Sequence, residues 1–202
     1  MTDTAHVRLL HEDQVPPVVF DDFRRAVEAD GFVLSMDTRP KSGPFAGLEW
    51  LMPTAVMLFI TQGYFNGFLG EMGKDHYQAL RTGLKSLCAR FAKVKVTLIG
   101  TSGKVSQDQP YSLALSLWSE ADDGRTFKFL VPNDPEAIDI ALDGYLTFLE
   151  AHAAGELPAE LKQALAQTRA LGRVVLLAYD PAAKVLGVVD PMTRDFSLHI
   201  RP

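Results

Sequence analysis

The residues best equipped for chemistry at close spacing are Asp75, His76 and Tyr77, with Glu71 just ahead of them. A carboxylate, an imidazole and a phenol can hand protons to and from a substrate when a fold sets them in one cleft. The same residues also have a purely local use. Asp75 suits the start of a helix, where its side chain accepts a backbone N–H, and His76 then falls on a solvated turn. The local use is the simpler account. The triplet stands as the chain's candidate for a catalytic cluster, and the chain as a whole leans away from enzyme chemistry.

Other motifs fail on spacing. Gly100-Thr101-Ser102-Gly103-Lys104-Val105 comes nearest to a phosphate-cradling loop, but Leu98 replaces its first glycine and Val105 its final hydroxyl residue. Ser102 in the same stretch is one residue short of a nucleophile elbow. The five histidines, His6, His11, His76, His152 and His199, show no metal-binding spacing, and a single cysteine, Cys88, cannot build a cysteine-rich zinc site. Cys88 reads as a small core residue. The acidic pairs Asp21-Asp22 and Asp122-Asp123 sit at a helix start and in a turn, where such residues serve locally. No metal and no cofactor is expected, and no small-molecule ligand is inferred.

The elements that would position these residues follow from periodicity. Short strands are expected near 5–10 and 32–36, with a helix over Val19–Asp30 between them. From Trp50 to Gly70 there are 21 residues without a charge. Their Pro, Gly, Thr, Gln and Asn content argues against a membrane span, and the stretch reads as a buried helix with Pro53 in its first turn. Gly63, Gly67 and Gly70 then share one face and would allow close helix packing. A second helix begins at Asp75, with Tyr77, Leu80, Leu84, Leu87 and Phe91 as its apolar stripe. Residues 48–92 are thus expected to form a central helical hairpin.

Beyond it the pattern turns to strands. Val94–Ile99, the run ending at Trp118 and the run Phe127–Val131 are strand-like, the last two joined as a hairpin across 120–124. Their alternation implies one covered and one wetter face. Asp134-Pro135-Glu136 opens a helix with a cap, a first-turn proline and an early acid, and Gly155 closes it. A further helix follows from Pro158, then a hairpin of 173–179 with 184–189, then an edge strand at 196–200. The fold class read from this order is α+β, an antiparallel sheet of hairpins covered by helices. At 202 residues with no long linker it reads as a single domain.

Charge is unevenly placed. The net charge is −5, yet residues 72–107 carry seven basic side chains and one acidic one. Arg81, Lys85 and Arg90 form a basic helix face, which either meets an anionic partner or complements the acidic remainder of the fold. Aromatics are not interleaved with it and the pI is about 5.5, so nucleic acid is not an expected partner. One cysteine and no apolar leader suit a cytoplasmic protein. The expected function is a small non-enzymatic binding or regulatory protein that acts through protein–protein contacts or self-association. Two other readings stay open: a membrane-active effector using the 48–92 hairpin in peripheral lipid contact, and an enzyme with its site near His76.

Overall fold

The computed structural model describes residues 6–28, 33–40, 54–61, 73–92, 94, 98–99, 105–106, 110–120 and 123–200. In chain order the elements are β1 (Val7–Glu12), a single 3₁₀ turn (Pro17–Phe20), α1 (Asp21–Glu28), β2 (Leu34–Arg39), β3 (Val56–Ile60), α2 (Gly73–Ala92), β4 (Leu98–Ile99), β5 (Val105–Ser106), β6 (Tyr111–Glu120), β7 (Thr126–Pro132), α3 (Pro135–Ala153), α4 (Ala159–Gln167), β8 (Val174–Asp180), β9 (Val185–Val189) and β10 (Phe196–Ile200). Eight strands make one sheet in the order β10-β9-β8-β7-β6-β3-β1-β2, and β4 pairs with β5 in a separate two-stranded ribbon.

The large sheet is mixed, which corrects the expectation of an antiparallel one. The hairpins β6–β7 and β8–β9 form as expected, and β10 pairs antiparallel with β9. Three further pairs, β1 with β2, β3 with β6 and β7 with β8, are parallel. Each of them is joined by a connection that runs through helix, as parallel neighbours require. Helical spacing between two strand-like runs was the sign of such crossovers.

The central helical hairpin over 48–92 is also corrected. Its second arm exists as α2, but Val56–Ile60 is a strand held between β1 and β6. Val56, Leu58 and Ile60 enter the core on one face, and Phe59 stacks on Trp118 on the other, ring centroids 5.7 Å apart. A central strand buried on both faces shows no alternation, so its apolar run has the appearance of a buried helix. Gly63, Gly67 and Gly70, and with them Gln62 and Asn66, lie outside the described residues. Among the described residues no helix is long and apolar enough to cross a membrane.

On one face of the sheet α1, α2, α3 and α4 bury a continuous core. Leu80, Leu84, Leu87 and Phe91 of α2 lie in it as their spacing predicts, with Cys88 buried among them as a free thiol. Phe129 stacks on Tyr145 of α3 at 4.6 Å. Helix α1 comes close to α2 at Gly83, where an added Cβ would lie 3.1 Å from Phe23.

The opposite face is not the wetter one expected from the alternation. Lys128 and Leu130 are both buried there, with Leu176, Ala178 and Val189. The Lys128 Nζ lies 5.1 Å from the Trp118 ring centroid, and removal from water pushes its pKa down to about 7. Nearby the Trp118 indole N–H donates to Ser116 Oγ at 2.7 Å, and Ser116 and Thr54 share a 2.6 Å hydroxyl contact. Polar groups on this face are hydrogen-bonded to one another, as burial demands.

Candidate functional site

Helix α3 is the element around which a site can be built. Asp134 caps it by accepting the Glu136 N–H at 3.0 Å, and Pro135 occupies the first turn. Ile138, Leu142, Tyr145, Leu146 and Leu149 point into the core as their spacing predicts. Gly155 ends the helix with φ +71°. Its N–H donates to His152 O at 3.1 Å, and the Glu156 N–H reaches back to Ala151 O at 2.9 Å. This is a Schellman closure, which only a left-handed residue at the glycine position permits without strain.

One flank of α3 faces α2. Arg81 grips Asp143 with both Nε and Nη2, a two-pronged pair. One turn further along, Lys85 Nζ meets Asp139 Oδ2 at 2.9 Å. Tyr77 shares a hydrogen bond with Thr147. Burial raises its phenol pKa, with Glu150 and Asp143 adding to the rise. The third cation, Arg90, turns to α1 and the 3₁₀ turn before it, donating to Asp22 Oδ2 at 2.9 Å and to Val19 O at 2.7 Å. The basic face of α2 is thus met by carboxylates of its own fold.

The other flank of α3 borders a groove of about 470 Å³. Its helical wall carries Ile140, Gly144, Phe148 and Ala151, continued by Leu157 past the helix end. The facing wall is Tyr179, Val185 and Leu186 of the β8–β9 hairpin with Ile200 of β10. Gly144 keeps the wall low beside Leu186, whose Cβ would lie 3.8 Å from an added Cβ. Ile140 is 56% exposed although it sits on an ordered helix.

Three charged residues line this groove: Asp143, already engaged by Arg81, and Glu156 and Lys184, one on each wall. Glu156 is fixed by the Schellman closure. Lys184, at φ +57°, follows a tight turn in which Asp180 Oδ1 accepts the N–H groups of Ala182 and Ala183. Neither Glu156 nor Lys184 has an ion-pair partner among the described residues. Beyond the turn, Asp180 Oδ2 pairs with His199 Nε2 at 2.8 Å, and this contact with the two turn N–H groups holds the carboxyl below its usual range.

The sequence-predicted site residues come out as follows. Tyr77, Arg81 and Lys85 are brought together along the α2–α3 seam. Asp75 and His76 belong to the first turn of α2, and their side chains lie outside the described residues, as do Gly63, Gly67 and Gly70 altogether. Among the described residues no three His, Cys, Asp or Glu groups are placed to hold a metal ion. The groove was missed. Its signal was present in Ile140, Gly144, Thr147 and Ala151, which recur at steps of four, three and four on a side of α3 that the core stripe does not use.

No family model, no curated protein and no solved structure matches this chain, so the functional argument rests on its own geometry.

Proposed function

We propose that this chain is a binding or regulatory protein working through protein–protein contacts, with the groove between α3 and the β8–β9 hairpin as its contact surface. The observation that carries this reading is Ile140, a large aliphatic side chain more than half exposed beside a mostly apolar groove. An exposed apolar surface bounded by charge is the usual composition of a contact patch. The two flanks of α3 also divide the labour. Carboxylates on the α2 side are engaged within the fold, whereas Glu156 and Lys184 beside the groove are left for something else. A cytoplasmic setting accords with the buried, free Cys88.

The test is a titration of the labelled chain with a leucine-rich amphipathic peptide, read by amide NMR. The reading expects shifts at Ile140, Thr147, Val185 and Leu186, and their loss in Ile140→Asp. Shifts that avoid the groove, or none at millimolar peptide, would count against it.

A further inference from the structure

We infer that β10 is a releasable strap that completes one wall of the groove, hinged at the β9–β10 turn and clasped near its other end by His199 on Asp180. This rests on the groove being the contact surface and adds what controls its shape.

The strand wall of the groove contains one cross-strand row. Leu186 of β9 stands between Tyr179 of β8 and Ile200 of β10, and all three line the groove. Tyr179 and Leu186 belong to one hairpin inside the sheet. Ile200 belongs to the outermost strand, whose one neighbour in the sheet is β9. A strand paired on one side has fewer bonds to break in a local opening.

The two ends of β10 are secured differently. At its start the turn is closed by backbone bonds of 2.9 Å from Asp190 N–H to Asp195 O and from Arg194 N–H to Asp190 O. Asp190 Oδ1 also accepts the N–H groups of Met192 and Thr193. The ladder then slips by one residue between Phe196 and Leu198. Leu198 and Ile200 pack into the helix-side core, whereas Phe196 turns to the opposite face and stacks on His199 at 5.6 Å.

On that opposite face His199 stands beside Gly187 of β9, and its Nε2 reaches past β9 to Asp180 Oδ2 of β8 at 2.8 Å. The bare glycine makes room for the crossing: an added Cβ at Gly187 would lie 2.6 Å from Phe196. Asp180 is held for this contact by Ala182 and Ala183, whose N–H groups bind its other oxygen. The clasp joins β10 to a strand it does not pair with, one residue from Ile200. Releasing it frees the end of β10 to swing about the Asp190 turn, and Ile200 then leaves the groove wall.

Amide hydrogen exchange followed by NMR, together with titration of the leucine-rich peptide, tests the inference. In His199→Ala the protected amides of β10 should exchange about tenfold faster, the scale of one lost hydrogen bond to a carboxylate, while β6 and β7 keep their wild-type rates. The same variant should bind the peptide more weakly. His199→Gln, whose side-chain N–H can reach the same carboxylate, should restore most of both. Unchanged β10 exchange in His199→Ala overturns the inference. So does an acceleration spread evenly over the sheet, which would make the pair a general stabiliser. Faster β10 exchange with unaltered peptide binding overturns control of the groove by the strap. A wild-type chain that binds no peptide overturns the contact-surface reading instead, and the exchange rates still decide whether β10 is clasped as inferred.

Discussion

The two flanks of helix α3 answer the same problem in opposite ways. Toward α2, Asp139 and Asp143 lie within reach of Lys85 and Arg81, and Thr147 meets Tyr77. That flank spends its polar groups on the fold. Toward the β8–β9 hairpin the helix shows Ile140, Gly144 and Ala151; Asp143 and Thr147 reach the same groove but are engaged by Arg81 and Tyr77, whereas Glu156 and Lys184 have no ion-pair partner among the described residues. A protein that needed α3 only as a lid on its sheet would gain from packing both flanks. On the function proposed above, the open flank is the contact surface.

The contrast can be broken hardest at the core beneath the first flank. Leu84 is fully buried in α2. Leu84→Ala should cost about 2–5 kcal/mol in urea unfolding by loss of burial and the cavity left behind. A cost near zero would mean that α2 does not anchor the seam.

Next comes the buried amine of Lys128. Its pKa in the fold is about 7, well below the ordinary lysine value. Between those two values the unfolded chain binds more protons, so stability should rise with pH from about 7 toward 10, by at most about 1.4 kcal/mol per pH unit. The destabilisation is full below pH 7 and fades toward pH 10, where the amine of the unfolded chain loses its proton as well. Urea midpoints compared for the wild type and Lys128→Met should show that slope in the first and not in the second.

The seam pairs come lower. Arg81 and Asp143 are 29% and 40% exposed, so water screens them. Arg81→Ala should cost no more than about 1 kcal/mol, and less at high salt. A larger, salt-insensitive loss would show that Arg81 acts through packing.

On the open flank the expected sign reverses. Gly144 has helical backbone and room for a methyl group beside Leu186. Gly144→Ala should therefore stabilise the chain by roughly 0.5–1 kcal/mol through helix propensity, raising the thermal midpoint. A glycine in β9 gives the control. At Gly187 an added Cβ would lie 2.6 Å from Phe196 and 3.0 Å from the Leu198 carbonyl oxygen, so the same change there should destabilise.

Much of this architecture was legible in the residues. Asp134-Pro135 and Gly155 bounded α3, the stripe from Tyr77 to Phe91 gave α2, and the turns near 124 and 182 gave two hairpins. The strand Val56–Ile60 was hidden because burial on both faces erases the alternation that marks strands. The parallel pairs were hidden because pairing across a helix is decided by tertiary packing. The burial of Lys128 was hidden because alternation assigns its side of the strand to the wetter face, and one polar residue in an apolar run carries no sign of what covers it. The groove was half visible: Ile140 sat off the core stripe, but no pattern on α3 announces that a hairpin nearly forty residues later will wall it.

The most direct test of the open flank is the amide NMR spectrum of the wild-type chain as a leucine-rich amphipathic peptide is added up to millimolar concentration. Residues along the groove, Ile140, Gly144, Val185 and Leu186, should shift together, while Tyr77 and Lys85 on the paired flank stay still. Shifts centred on the seam, or a spectrum that does not change, would contradict the assignment of that flank to contact with another protein.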